Sequence, residues 1–204
     1  MKAFLKKIFN VLNQNKSSDT KILRRQTENL ILREGKKSDT KRWKNNEELL
    51  QNWDERTIIL GSFIIPYSNI IEFGAGNMVL KDTLTNYKSY TPSDIVPRFK
   101  ETIVCDLNQA ISFDLTNYDA AVFSGVLEYV YDIEKVIEQM RAASVNQIVL
   151  SYSCADIVKL SRDKNGWLSD YTKEDLAKIF KKRGYAIDNY QEWRNQSLYN
   201  LIKK

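Results

Sequence analysis

The sequence has no histidine and contains only two cysteines, three prolines and seven glycines among its 204 residues. So few glycines and prolines exclude the fibrous and low-complexity classes of protein. The apolar residues come in short runs, none of which is long enough to cross a bilayer as a helix. Cys105 and Cys154 stand in apolar runs and predict small buried side chains in a reducing compartment, so we expect a cytoplasmic protein.

Positive charge is concentrated at the front of the chain. Residues 1–44 carry 13 Lys and Arg against 4 Asp and Glu, a net charge of +9, which leaves 18 against 22, a net of −4, for residues 45–204. A nucleic-acid enzyme usually carries its basic surface on the domain that performs the chemistry, so this division argues against a nucleic-acid partner. We predict a basic helical extension or linker over residues 1–40, followed by one domain over residues 41–204.

The basic extension begins with an amphipathic pattern. Over residues 2–14, apolar side chains recur at helical spacing with lysines around them. A helix of this kind fits an anionic membrane surface, and it fits equally well a position packed on its own domain or on a protein partner.

From Trp43 onward, short apolar runs alternate with helical patterns. Five of these runs predict strands, at residues 69–73, 87–91, 102–105, 120–124 and 147–152. Strand–helix–strand units of this length predict an α/β fold in which a parallel sheet carries helices on both faces. Two further runs, at residues 185–190 and 197–202, are too close for a crossover, and we expect them to pair antiparallel at one edge.

The first predicted strand runs into a glycine turn, Glu72–Gly76. In an open parallel sheet, ligands bind beyond the carboxyl ends of the strands, and glycines there let the backbone approach a ligand closely. Two carboxylates follow the next two strands: Asp94 can accept from ribose hydroxyls, and Asp106 can accept from an adenine amino group. Three acidic positions at successive strand ends predict a nucleoside site, although Asp94 and Asp106 could also be ordinary turn residues.

Two segments resemble motifs of the class I S-adenosylmethionine-dependent methyltransferases. The run Ile71–Gly76 is similar to the first motif of that family, an acidic residue two positions ahead of GxG, with Met78 where many members have a third glycine. The run Tyr118–Val130 is similar to the fourth-strand motif. Together with Gly166–Leu168 and the C-terminal helix and hairpin, the resemblance covers about residues 43–204. It implies a Rossmann-like, mostly parallel seven-stranded sheet.

The resemblance also implies S-adenosyl-L-methionine as the cofactor. In that family pattern Glu72 would act on the ammonium group of the methionine part, and the glycine turn would offer its backbone. Asp94 would hold the ribose, and Asp106 with Leu107 would contact the adenine. The pair Ser124–Gly125 would lie beside the sulfonium. The implied cofactor-binding residues are therefore Glu72, Phe73, Gly74, Ala75, Gly76, Asp94, Asp106, Leu107, Ser124 and Gly125.

Methyl transfer from a sulfonium asks the protein chiefly to align the acceptor, the carbon and the sulfur in a dry pocket. No metal site is expected. A hydroxyl acceptor would also benefit from a base, and the usual base, histidine, is absent. Glu128 is the predicted base, and the neighbouring candidates are Tyr129, Tyr131 and Asp132. Alternatively, Glu128 is a solvent-facing carboxylate at the start of a helix.

We expect a small-molecule or sugar/glycan acceptor, by analogy with the substrates of the resembling family and because residues 45–204 are slightly negative. One alternative is a non-catalytic protein that keeps the fold as a binding or scaffolding module. Another is a nucleic-acid methyltransferase, although the sequence lacks the Asn/Asp-Pro-Pro-Tyr run and the Pro-Cys pair of two base-modifying routes. A nicotinamide-dependent dehydrogenase fits less well, because Val79 replaces the third glycine of its fingerprint.

Overall fold

A computed structural model describes residues 18–204, so the helix predicted at residues 2–14 lies outside the described residues. The strands are β1 (Asn69–Phe73), β2 (Ser89–Asp94), β3 (Ile103–Val104), β4 (Ala120–Phe123), β5 (Gln147–Tyr152), β6 (Tyr185–Trp193) and β7 (Gln196–Lys203). They form one sheet in the order β3-β2-β1-β4-β5-β7-β6. Strands β1 to β5 are parallel, and β7 runs antiparallel between β5 and β6. The predicted mostly parallel seven-stranded sheet with a C-terminal antiparallel hairpin is confirmed.

Residues 18–204 contain seven α-helices: α1 (Ser18–Glu34), α2 (Thr40–Trp43), α3 (Asp54–Ser62), α4 (Val79–Thr83), α5 (Ile133–Ala142), α6 (Arg162–Asn165) and α7 (Lys173–Lys182). Capping residues in the sequence mark the starts of α5 and α7. The Asp132 carboxylate accepts from the backbone N–H of Lys135 at 2.9 Å. Thr172 and Asp175 form a reciprocal capping box at the start of α7. Such caps satisfy N–H groups that have no partner within the helix.

Alternate residues of the strands face two hydrophobic cores, one on each side of the sheet. On one side α5 and α7 bury their apolar faces against Ile71, Phe73, Ala121, Phe123, Ile148 and Leu150. On the other side, α3 and α4 contribute Leu60 and Leu80 and pack on Ile70, Ala120, Val122 and Val149. Both faces of the parallel strands are therefore covered, as their continuous apolar runs require.

Strand β2 lies further along the chain than residues 87–91, because it tolerates a proline. Pro92 pairs with Glu72 of β1, whereas β3 pairs only with Ser93 and Asp94. At Pro92 the strand is therefore still an edge on its β3 side, where the missing N–H breaks no ladder bond. The strand continues to Asp94, which brings this carboxylate directly to the end of the strand.

The described part of the basic extension contacts the loops above the sheet. The Asn29 amide donates to the carbonyl of Asp163 at 2.8 Å, and the Tyr131 hydroxyl donates to the carbonyl of Leu32 at 3.1 Å. These bonds cross the predicted boundary at residue 40, which stays a prediction. Among residues 18–204, no helix combines the length and the apolar character needed to span a bilayer.

Candidate functional site

A cavity of about 940 Å³ opens above the carboxyl ends of the parallel strands. Its volume lies within the range of small-molecule pockets, about 300–1,000 Å³. The wall combines the strand-end loops with segments of α1, α2 and α3 and with the turn between β6 and β7. The structure brings to this wall every residue that the resemblance implies for cofactor binding, together with the predicted base: Glu72, Phe73, Gly74, Ala75, Gly76, Asp94, Asp106, Leu107, Ser124, Gly125 and Glu128.

The glycine turn after β1 uses three left-handed backbone conformations. Gly74 has a φ of +70°, and a Cβ added there would stand 2.4 Å from Cγ2 of Val126. Gly76 (φ +51°) and Met78 (φ +59°) are also left-handed. Met78 therefore keeps the conformation that a third glycine would favour, at a cost of about 1 kcal/mol for a residue with a Cβ. Its side chain does not line the cavity.

Asp94 ties the glycine turn to the end of β2. Its Oδ2 accepts from the backbone N–H of Gly76 at 3.0 Å, and its Oδ1 accepts from that of Val96 at 3.0 Å. Arg98 forms an ion pair with the same carboxylate at 3.4 Å, and both side chains are buried. The sequence analysis did not predict Arg98 as a site residue. The signal in the sequence that could have indicated this ion pair is the spacing of four residues between Asp94 and Arg98.

Asp106 meets the basic extension. The Ser38 hydroxyl donates to its Oδ1 at 2.7 Å, and so does the backbone N–H of Asn108 at 3.0 Å. The Asn108 amide also donates to Ser38 and to the carbonyl of Tyr129. Ser38, which sequence reasoning assigned to a linker, therefore forms part of the cavity wall because of contacts about 70 residues away in the chain.

Glu72 is a buried carboxyl with one hydrogen bond among the described residues. It is 2% exposed, and the Tyr90 hydroxyl donates to its Oε2. Burial raises the pKa of Glu72 to about 8, and Asp94 adds to the rise, whereas the Tyr90 hydrogen bond and Arg56 oppose it. Near neutral pH this carboxyl is therefore largely protonated until a cation comes close to it.

Arg56, on α3, also lines the cavity and was missed from the sequence. Its Nε donates to the hydroxyl of Ser124 at 3.1 Å, one terminal nitrogen to the carbonyl of Ser124 at 3.3 Å, and the other to the side-chain amide of Gln196 at 3.0 Å. A Cβ added at Gly125 would stand 2.4 Å from the guanidinium. No local sequence motif indicates these contacts, because the two partners lie 68 and 140 residues from Arg56 in the chain.

Glu128 is buried, being 1% exposed, so the alternative of a solvent-facing carboxylate is wrong. Its Oε1 accepts from the backbone N–H of Ser153 at 2.9 Å, while its buried Oε2 has no partner among the described residues. Burial raises the pKa of Glu128, and nearby Arg56 opposes the rise. Of the neighbouring candidates, Tyr129 lines the cavity, whereas Asp132 caps α5 outside it.

No protein-family model matches the sequence, and neither does any curated protein. Solved structures do match. The 1,6-didemethyltoxoflavin-N1-methyltransferase of Burkholderia thailandensis has a TM-score of 0.55 at 13% identity, over 74% of this chain and 78% of its own. An S-adenosylmethionine-dependent methyltransferase of Mesorhizobium loti has a TM-score of 0.56 at 14% identity, over 71% and 96%.

The N-methyltransferase NodS of Bradyrhizobium japonicum, solved with S-adenosyl-L-homocysteine, has a TM-score of 0.54 at 15% identity, over 74% of this chain and 85% of its own. At such low identity a likeness speaks for the fold rather than for the chemistry. The shared architecture, and the strand order that ends in an antiparallel hairpin, identify this chain as having the class I S-adenosylmethionine-dependent methyltransferase fold.

Proposed function

We propose that this protein is an S-adenosylmethionine-dependent methyltransferase that acts on a small-molecule or sugar/glycan acceptor. The observation that carries the proposal is the convergence of three carboxyl groups on one cavity, beside a glycine turn in which Gly74 is exposed. Glu72, Asp94 and Asp106 reach this wall from three separate strand ends, so their meeting is a property of the fold and not of one local loop.

The residues on the wall fit the parts of the cofactor. Asp94 would accept from the ribose hydroxyls, because a carboxylate held by backbone N–H groups keeps lone pairs for further donors. Asp106 would accept from the adenine amino group beside Leu107. The backbone around Gly74 would face the methionine part, with the Glu72 carboxyl beside its ammonium group. Phe73, Ala75 and Gly76 would complete this surface, and Ser124 and Gly125 would lie near the sulfonium.

When bound, S-adenosylmethionine would supply a methyl group that the positively charged sulfur already activates for displacement. The chain's own residues then have to orient the two reactants and exclude water. The loops after β4 and β5 and the segment around Trp43 would do so by enclosing the cavity. Glu128 would receive a proton from a hydroxyl acceptor in its ionised form. Burial raises the pKa of Glu128, so this ionised form is favoured as the pH rises.

Aromatic side chains on the wall support an acceptor with a ring. Trp43, Trp53 and Trp167 all line the cavity, and flat apolar faces of this kind stack on sugars and on aromatic rings. The proposal extends to a cytoplasmic location, with residues 1–40 as an appendage of the domain at 41–204 that meets an anionic membrane surface or a protein partner. The net charge of +9 over residues 1–44 supports such a contact.

Two measurements test the proposal in sequence. Calorimetry should show that the full chain binds S-adenosylhomocysteine; no binding would reject a methyltransferase. The chain is then mixed with methyl-labelled S-adenosylmethionine and with separate cell fractions of small molecules, glycans, proteins and RNA. Label in small molecules or glycans is the expected result. Label in RNA would favour the nucleic-acid enzyme, and binding without any transfer would favour the non-catalytic module.

A further inference from the structure

Arg56 is a cation in the cavity wall that has no carboxylate within ion-pair distance among the described side chains. None of the ion pairs among the side chains of residues 23–204 involves Arg56. Its three hydrogen bonds go to neutral oxygens of Ser124 and Gln196. A guanidinium has five N–H donors, so donors are left for a ligand. We propose that Arg56 binds a carboxylate group of a ligand in this cavity, and the identity of that ligand rests on the proposed function.

Three carboxyl groups, those of Glu128, Asp54 and Glu72, act on Arg56 through their charge, but none of them forms an ion pair with it among the described side chains. Burial raises the pKa of both Glu72 and Glu128, which favours their neutral forms. Glu72 is bonded to Tyr90, and Glu128 to the backbone of Ser153. Burial also lowers the pKa of Arg56, because a charge that loses water is destabilised. Glu128, Asp54 and Glu72 oppose this lowering only from a distance, and a directly paired anionic ligand would oppose it more strongly.

The shape of the group favours a carboxylate over other anions of the same charge. A guanidinium presents a planar fork of N–H groups, which matches the two oxygens of a carboxylate in a bidentate pair. The guanidinium of Arg56 lies over the ring of Trp53, with its central carbon 5.4 Å from the ring centroid. The missing side chain of Gly125 leaves the space that the guanidinium occupies. The fork is therefore fixed before any ligand arrives.

Two ligands could supply the carboxylate. Arg56 bonds to Ser124 at the end of β4 and to Gln196 at the start of β7. It thus stands between the proposed methionine end of the cofactor and the antiparallel side of the cavity. The group would be either the carboxylate of the methionine part or a carboxylate on the acceptor, and the experiment separates these sources.

The first arm measures ligand affinity by calorimetry on the full chain. The ligands are S-adenosylhomocysteine and decarboxylated S-adenosylmethionine, which keeps the amine and lacks the carboxylate. If the cofactor is the source, Arg56→Met should weaken S-adenosylhomocysteine by about 10- to 100-fold, the scale of a charged hydrogen bond, and leave the decarboxylated compound unchanged. Arg183→Met is the matched control, because Arg183 pairs with Glu134 and Glu138 outside the cavity. It should change neither affinity.

The second arm titrates glucuronate into the chain saturated with S-adenosylhomocysteine. Binding to the wild type that is lost in Arg56→Met would make the acceptor the source. The proposal is overturned if wild type and variant bind S-adenosylhomocysteine equally well and also bind glucuronate equally well. It is also overturned if the wild type binds neither of these two ligands. If Arg56→Met does not fold, Arg56→Lys decides by the same comparisons: it keeps the charge, loses the fork and should weaken the carboxylate ligand by a smaller factor.

The outcomes keep this proposal apart from the proposed function. A wild type that binds S-adenosylhomocysteine no differently from its folded Arg56 variants, and binds no glucuronate, refutes the role of Arg56 and leaves the methyltransferase standing. A wild type that binds no S-adenosylhomocysteine rejects the methyltransferase. In that case titration of glucuronate alone decides: binding that requires Arg56 supports the carboxylate site, and no such binding overturns it.

Discussion

The two halves of the cavity differ in how their charges are satisfied. In the half above β2 and β3, Asp94 is paired with Arg98 and held by two backbone N–H groups, and Asp106 accepts from Ser38. In the half above β1 and β4, Glu72 and Arg56 line the same wall but form no ion pair among the described residues. The charge of Asp94 in the first half is paired within the protein, whereas Glu72 and Arg56 in the second half have no such partner, and we propose that a ligand provides it.

This difference assigns the two halves different energetic roles. Removing one partner from a buried ion pair leaves an uncompensated charge, so substitutions in the first half should lower both the free energy of unfolding and the affinity for the ligand. A buried charged group that lacks a counter-charge is itself destabilising. Substitutions of the charged residues in the second half should therefore weaken ligand binding while they leave the stability of the free protein unchanged or raise it. The predictions below test this contrast, from the largest effect to the smallest.

The largest effect is expected from Gly74→Ala. The new Cβ would stand 2.4 Å from Val126 at a φ of +70°, so the turn or the loop after β4 has to move. Affinity for S-adenosylhomocysteine should fall by about 100-fold, near the upper end of what a backbone strain of about 1–3 kcal/mol produces, because this strain acts where the ligand is proposed to approach most closely. Calorimetry measures the affinity, and urea unfolding measures the stability.

A second substitution separates the clash from the strain. Val126→Ala removes the methyl group that the new Cβ would meet, so the double variant Gly74→Ala/Val126→Ala should recover part of the affinity while the unfavourable φ remains. If Gly74→Ala alone binds as tightly as the wild type, the glycine turn does not approach the ligand and the second half of the cavity is misassigned.

Asp94→Asn should come next. The amide keeps the shape of the carboxylate but loses the charge that pairs with Arg98 and accepts from Gly76. We expect affinity for S-adenosylhomocysteine to fall by about 10- to 100-fold and the free energy of unfolding to fall by about 1–3 kcal/mol. Glu101→Gln is the control, since Glu101 pairs with Lys81 at the surface. Normal stability of Asp94→Asn would contradict the view that the protein completes this half by itself.

In both halves of the cavity, the sequence predicted the carboxyl groups at strand ends and missed the arginine, Arg98 in the first half and Arg56 in the second. Asp94 and Asp106 stand at strand ends, and a strand end is visible as the point where an apolar run stops. Glu72 belongs to the same pattern. Arg56 could not be found in this way, because it sits on a helix and its role comes from contacts with loops 68 and 140 residues away.

The boundaries of the elements show the same division between local and distant causes. The α5 and α7 helices begin where their caps are written, at Asp132 and Thr172. Strand β2, in contrast, extends past Pro92 because β3 pairs only with the residues that follow this proline. That pairing cannot be predicted from the local sequence pattern. Likewise Ser38 reads as linker in the sequence and touches Asp106 in the fold.

Glu72→Gln tests the second half through pH. The pKa of Glu72 is raised from about 4.5 to about 8 on folding, so its stabilising contribution is complete below about pH 4.5 and is lost as the pH rises through about 8. Urea unfolding should show this loss between about pH 5 and pH 8 in the wild type and a flatter profile in the variant. At about pH 8 the variant should therefore be the more stable protein.

The same substitution should act oppositely on binding. An ammonium group favours the ionised form of Glu72, so affinity of the wild type for S-adenosylhomocysteine should rise with pH up to about 8, by at most about tenfold per pH unit. Glu72→Gln should bind more weakly with little pH dependence. Parallel pH profiles of the two proteins would show that Glu72 does not meet the ammonium group.

The smallest effect is expected from Met78→Gly, which lies in the same turn but outside the cavity wall. Glycine relieves the left-handed strain at φ +59° and loses the packing of a half-buried side chain, while it also gains freedom in the unfolded chain. Because these terms oppose one another, the free energy of unfolding should change by less than about 1 kcal/mol. Affinity for S-adenosylhomocysteine should stay within about twofold, since neither half of the cavity loses a charged partner. A tenfold loss of affinity would instead mean that the Met78 side chain supports the ligand, and the contrast between the two halves would then have to include the turn that joins them.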